Sequence, residues 1–400
     1  MNVRSLLTPE ARLLLATAGS GARDEELACL LEAPLDWRRL LDLALRERSL
    51  PPLWRRLAPL AGGRFPAEAV EAFDRAAANR RLFLALLHHR LVEALGVLED
   101  GGIPVLLIKG AALAHSGYGD FVDRPMADLD LLVNPEHARR AWTLMRGIGW
   151  TWKPERYPAP WYRGMHHLPP LEDSRETGAV LEVHSAALVS GHGYRFGAED
   201  LWRGAREIHV EGRTTFVPRP VPHLVHVCIH FAWVHQLGRG AWRTFRDLEV
   251  LAGMDGFRWE PFLEAARDSG AGRCGFWTLL LGRELASAAV PARVLEDLHP
   301  AGLPSPLLDA LSRHYAVGLL GSEASCPSMR LRRLLWRIGV HPARDRRTPW
   351  PGAGRDEDAG PAGGEPSAAH EERAGKLARH VRDRGEWAAY LRSVLGRASP

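Results

Sequence analysis

Apolar residues recur at three- and four-residue intervals through residues 1–100, as in EELACLLEAPLDWRRLLDLALRERSLPPLWRRLAPL, and β-branched residues are few there. That period marks one face of a helix, so the stretch reads as an N-terminal helical domain. Its last element is a long amphipathic helix from Pro66 to about Leu98 that ends at Gly101-Gly102, residues well suited to leaving helical geometry. Between 101 and 197 the pattern changes to alternating strands and helices. A strand at 103–108 leads to a short helix from 110, the loop GYGDFVDRP and a strand at 128–133. Asn134-Pro135-Glu136 offers an N-cap, a first-turn proline and an acidic residue for a helix that Gly147 closes. A hairpin is expected next, with strands at 165–171 and 179–188 around the turn-rich EDSRETG. Strands placed after a helix in this way predict an α+β fold with a small mixed sheet. The helical period returns over 198–340 as a C-terminal helical domain. Residues 341–375 are rich in Pro and Gly and read as a disordered linker, and 376–400 as a terminal helix.

The alternation carries chemistry at the strand ends. Asp128 and Asp130 lie two apart on one strand, so they share a face at a backbone spacing of roughly 7 Å, close enough to lean onto divalent cations. Glu182 and His184 share a face in the same way. Lys109-Gly110 ends the first strand, where glycine permits close approach of a phosphate and the following helix offers free N–H groups. Together these residues suit phosphoryl chemistry: Asp128 and Asp130 as ligands of Mg²⁺ or Mn²⁺, and Glu182 as a further ligand or the base for an acceptor. His184 fits equally well as a residue that orients a carboxylate or packs in the sheet. Arg124 suits either a phosphate contact or a salt bridge to Asp128.

Composition narrows the classes further. The chain has 400 residues, 46% hydrophobic, enough for a large core in two or three domains. Arginine supplies nearly all of the 52 basic residues, and the lysines are Lys109, Lys153 and Lys376, which makes an ammonium at Lys109 conspicuous. The net charge of +4 and pI near 9.0 come from dispersed arginines, suited to anionic ligands. Cys29, Cys228, Cys274 and Cys326 form no C-x-x-C pair and read as reduced thiols. No apolar run approaches the roughly 20 residues of a membrane span. Pro9, Glu10 and Arg12 interrupt any signal-like segment, so a cytoplasmic setting is expected.

With these residues in view, the chain resembles the uncharacterised nucleotidyltransferases of the DNA polymerase β superfamily. The resemblance rests on KGAAL, then RPMADLDLLV, then LEVHSAAL, and spans roughly residues 25–255 including WRTFRDLEVLA, with the tail beyond about 330 outside it. It implies a palm-like catalytic domain, an NTP donor, Mg²⁺, Asp128 and Asp130 as metal ligands and Glu182 as third carboxylate. Two departures stand out. The wider superfamily's Gly-Gly or Gly-Ser is Gly110-Ala111 here, and eighteen positions separate Gly110 from Asp128. Ala111 has no hydroxyl to offer phosphate, so the backbone at Gly110 and Ala111 must serve together with Lys109 and Arg124.

Rival motifs are weak. His223, His226, His230 and His235 recur at helical spacing, but without H-E-x-x-H or a nearby carboxylate they read as core or substrate-pocket histidines. No Walker loop, dinucleotide fingerprint or calcium loop occurs. Trp142, Trp150, Trp152 and Trp161 read as packing at a sheet edge. Arg330, Arg332, Arg333 and Arg337 read as one solvated helix face, so nucleic acid is a poor partner. The remaining alternative is a non-catalytic module that keeps the fold and senses a nucleotide or anionic metabolite. An acceptor, whether peptide, sugar or small molecule, leaves no signature.

Overall fold

The computed structural model describes residues 3–19, 24–60, 63–320, 325–340 and 386–395. Four short helices, Pro9–Ala16, Asp24–Leu31, Trp37–Arg46 and Leu50–Leu57, precede the long helix Ala67–Asp100. Thr8 and Asp36 cap the first and third by accepting the N–H groups of Ala11 and Arg39. The long helix ends as its glycines require. Gly102 turns left-handed with φ of 64°, and the N–H of Ile103 reaches back to the carbonyl of Leu98 at 2.9 Å.

Seven strands follow: β1 (Leu106–Leu107), β2 (Asp128–Leu132), β3 (Trp150–Trp152), β4 (Leu171–Asp173), β5 (Val180–His184), β6 (Arg206–Val210) and β7 (Arg213–Val217). They form one mixed sheet in the order β3-β4-β5-β2-β1-β7-β6. This is the expected α+β architecture, with a mixed sheet flanked by helices. The central pair β2 and β5 is parallel, and its register sets Asp130 opposite Glu182 and Leu132 opposite His184.

Several elements differ from the sequence expectation. The first strand shrinks from 103–108 to two residues, because Pro104 lacks an N–H for the ladder. The strand expected at 165–171 starts at Leu171, after Pro169-Pro170, and only an isolated His167–His184 bridge precedes it. The sheet also runs past 197, where the core was expected to end. The β6–β7 hairpin turns at Glu211-Gly212, whose φ angles of 47° and 78° define the primed turn that matches strand twist.

The two sheet faces have different neighbours. Leu129, Leu131, Leu181 and Val183 point into a core shared with Ala67–Asp100 and the helix Pro135–Gly147. Leu106 and Leu132, on the opposite face, join a larger core made by the N-terminal helices together with the helices after residue 219. The two helical segments read as separate domains in the sequence therefore share one interior. Arg4 donates to the Glu284 carbonyl at 2.7 Å, Trp242 Nε1 to Thr17 Oγ1 at 2.9 Å, and buried Glu47 accepts the N–H groups of Gly240 and Trp242. Residues 341–375, expected as a linker, lie outside the described residues. Of the expected terminal helix, 386–395 is described and is helical. Among the described residues no helix is long and apolar enough to cross a membrane, and all four cysteines are free.

Candidate functional site

Strand alternation turns Asp128, Asp130, Glu182 and His184 toward the larger helical core, and the parallel register brings the last three together. One ligand atom from each of Asp130, Glu182 and His184 lies within 4.8 Å of the others. His184 Nε2 is 2.8 Å from Asp130 Oδ1 and 3.3 Å from Glu182 Oε2, so it donates between the two carboxylates. Lys109 Nζ lies 2.6 Å from the same Asp130 oxygen. Asp128, at the exposed strand end, pairs with Arg48 at 3.2 Å.

Charge and burial explain the protonation states. Burial works against ionised Asp130, but Lys109 and then His184 more than offset it and hold the carboxyl below the usual range. Glu182 is likewise held down against burial, by His167, His184 and Lys109. Burial opposes charge on Lys109 too, yet Asp130 and Glu182 raise it above the ordinary lysine value. His184 is raised because its bonds to Asp130 and Glu182 outweigh burial and the repulsion of Lys109. Both carboxylates are thus ionised, and their charge is met by the protein's own ammonium and imidazole.

Lys109 reaches Asp130 through an unusual backbone. Its φ of 52° is left-handed at the start of helix Lys109–Ser116, a conformation that costs a lysine free energy and turns its side chain back over β2. Gly110 was expected to make room for phosphate. A Cβ there would lie 3.3 Å from both Arg124 Nη1 and Met126 Sδ, so the glycine also lets these side chains pack closely. Ala111 is buried in the sheet core. Arg124 does not brace Asp128. It forms a bidentate pair with Asp247, Nε to Oδ1 at 2.6 Å and Nη2 to Oδ2 at 2.8 Å, while Nη1 donates to the Pro125 carbonyl and Tyr118 adds a hydroxyl bond to Asp247.

Sequence reasoning left the histidines as core or pocket residues, and the structure sets many of them around this cluster. The rings of His166 and His167 each lie 5.1 Å from that of His184. His226, on helix Pro220–Ile229, and His230, which opens the π-turn His230–Val234, lie near enough for the charge of Lys109 to act on both. The π-turn is a widened turn that re-aims side chains.

These histidines give the fold a strong acid sensitivity. Burial depresses His226 to about 3 and His167 and His223 to about 4, from an ordinary 6.5. The unfolded chain then takes up protons below pH 6.5 that the folded chain refuses, so the stability tied to these three histidines is full above that value and falls as pH drops toward 4. Each such histidine removes about 3 kcal/mol over this window. Circular dichroism during acid titration should show unfolding begin between pH 6.5 and 4, and undiminished stability at pH 4 would contradict the assignment.

The profile of a family described as uncharacterised nucleotidyltransferase matches residues 33–287, well over half of the chain, and the protein belongs to that family. The match runs past the expected limit near 255 and so takes in helix Gly272–Ala286 of the larger core. No curated protein and no solved structure matches the chain.

Proposed function

We propose that the protein is a divalent-cation-dependent nucleotidyltransferase that moves a nucleoside monophosphate from an NTP to a peptide, sugar or small-molecule acceptor, in a cytoplasmic setting. The observation that carries this reading is the parallel register setting Asp130 against Glu182, with Asp128 on the same face and Lys109 above them. The residues fit a hard cation, since carboxylate oxygens suit Mg²⁺ and Mn²⁺. Asp128, Asp130 and Glu182 would hold it. His184 donates to both inner carboxylates, and in this reading it fixes their orientation. When bound, the cation neutralises phosphate charge and stabilises the attacking and leaving oxygens. Lys109 keeps Asp130 ionised, and Glu182, with its side chain 20% exposed against 6% for Asp130, is the inner carboxylate that an acceptor can approach.

Purified protein with Mg²⁺ or Mn²⁺ should release pyrophosphate from at least one of the four NTPs when offered peptide, sugar and small-metabolite acceptors, and Asp128→Asn should lose that release. The competing reading, a nucleotide sensor, separates by melting. Stabilisation by ATP that requires Mg²⁺ and disappears in Asp130→Ala supports the enzyme, whereas the same stabilisation with or without metal supports the sensor.

A further inference from the structure

The groups expected to take phosphate are already engaged: Lys109 binds Asp130 and Arg124 binds Asp247. Three other arginines, far apart in sequence, are brought instead to the neighbourhood of Asp128: Arg48 pairs with it, Arg80 bonds the Met126 carbonyl two residues away, and Glu47, next to Arg48, accepts the N–H groups of Gly240 and Trp242 just ahead of Arg243. Arg48 follows helix Trp37–Arg46, with a left-handed φ of 53° and its Nη1 3.2 Å from Asp128 Oδ1. Arg80 comes from the middle of Ala67–Asp100, donates to the Met126 carbonyl at 2.6 Å and lies over the Phe83 ring. Arg243 stands in the first turn of helix Ala241–Ala252. Its Nε is buried without a hydrogen-bond partner. Among the described residues no hydrogen bond or ion pair holds the Arg243 guanidinium.

Arg243 is half-buried, and a guanidinium Nε–H withdrawn from water without a partner is costly, so natural proteins rarely keep one unless something else satisfies it. The neighbouring charges do not. Burial first, and repulsion from Arg48 next, push both Arg80 and Arg243 down to about 10, so both remain cations at neutral pH but at a cost. Asp128 attracts both and is already shared with Arg48. Glu47 attracts Arg243, but its oxygens accept the N–H groups of Gly240 and Trp242 at 3.2 and 2.9 Å. Three guanidiniums thus share two carboxylates that are themselves engaged. Planar N–H forks match phosphate oxygens in pairs, and several together match a chain of phosphates better than a single carboxylate.

We propose that Arg48, Arg80 and Arg243 form the seat of the donor's β- and γ-phosphates, the portion that leaves as pyrophosphate. This rests on the nucleotidyl-transfer reading for the identity of the ligand, but not for the existence of an anion seat. Arg48 has a second part in it. Phosphate would draw Arg48 away from Asp128, so donor binding frees that carboxylate for a cation.

Calorimetric titration with inorganic tripolyphosphate in EDTA tests the seat without metal or chemistry. The wild-type chain should bind saturably, and more weakly as salt rises. Arg243→Ala should weaken binding at least tenfold, Arg243→Lys should keep part of it, and Asp128→Asn should tighten it severalfold by removing a carboxylate and releasing Arg48. Circular dichroism and melting curves check that each variant is folded. Absence of saturable binding by the wild type, or equal affinity in wild type, Arg243→Ala and Asp128→Asn, overturns the proposal. If tripolyphosphate binds in the expected pattern while no NTP yields pyrophosphate, the anion seat stands and the transferase reading falls. If Arg243→Ala transfers nucleotide with a wild-type KM for NTP, the seat falls and the transferase reading stands.

Discussion

Asp130→Asn is expected to lower nucleotidyl transfer by roughly 10³-fold or more, the equivalent of about 4 kcal/mol of barrier. Asp130 is the point on which the site's charges converge. One of its oxygens meets Lys109 at 2.6 Å and His184 at 2.8 Å, and its position opposite Glu182 makes it the inner member of the carboxylate set. The amide keeps the shape and removes the charge. A cation then loses its most deeply placed ligand, and Lys109 and His184 lose the partner that keeps both protonated. The variant will lose stability as well, because the lysine is left over an uncharged group. The decisive comparison is therefore kcat measured at a temperature where melting and circular dichroism show it folded. Retention of even a tenth of wild-type activity in folded Asp130→Asn would remove this residue from the chemistry.

The largest stability effect is expected at Asp247. Its carboxylate takes two bonds from Arg124 and one from Tyr118, and both charged side chains are almost fully withdrawn from solvent, at 8% and 4% exposure. Removing one partner of a buried ion pair leaves the other charge uncompensated, which costs about 3–5 kcal/mol. Asp247→Ala should accordingly lower the melting temperature by roughly 10 °C for a chain of this size. The paired replacement Arg124→Met with Asp247→Leu should recover most of that loss, since apolar residues of similar volume carry no buried charge. Denaturant unfolding of the two variants measures both values. A single variant as stable as wild type would mean that the pair contributes nothing. A double variant as unstable as the single one would mean that the arginine's other contacts, to Pro125 and against Gly110, dominate.

The sequence was legible where the structure depends on local spacing. The two-residue period fixes that Asp128 and Asp130 share a face, as do Glu182 and His184, and no knowledge of the partner strand is needed. Asn134-Pro135-Glu136 likewise announced helix Pro135–Gly147, because a cap is a contact within one turn, and Asn134 does accept the N–H of Glu136. What local spacing cannot carry is the identity of a partner far along the chain. Arg124 was read against phosphate or Asp128, four residues away, whereas its partner lies 123 positions on. Arg48 and Arg80 drew no attention for the same reason, and Arg243 and Asp247 only as part of the segment WRTFRDLEVLA, with no role assigned. The β6–β7 hairpin was missed because Glu-Gly is a weak turn signal beside Asn-Gly, and because Arg206–Val210, a mostly exposed edge strand that opens on the adjacent charges Arg206 and Glu207, lacks a clean alternation. The histidines could have been found sooner. Their recurrence at 166, 167, 184, 223, 226, 230 and 235 is visible in the sequence, but only the fold brings several of them to one place.

The central claim is that Asp128, Asp130 and Glu182 together hold a divalent cation against the phosphates of a nucleotide. The most direct measurement is electron paramagnetic resonance of Mn²⁺ titrated into the protein with a non-hydrolysable NTP. Nucleotide-dependent retention of Mn²⁺ by the wild type, lost in both Asp130→Asn and Glu182→Gln, is the expected result. Mn²⁺ held equally by wild type and both folded variants would contradict it.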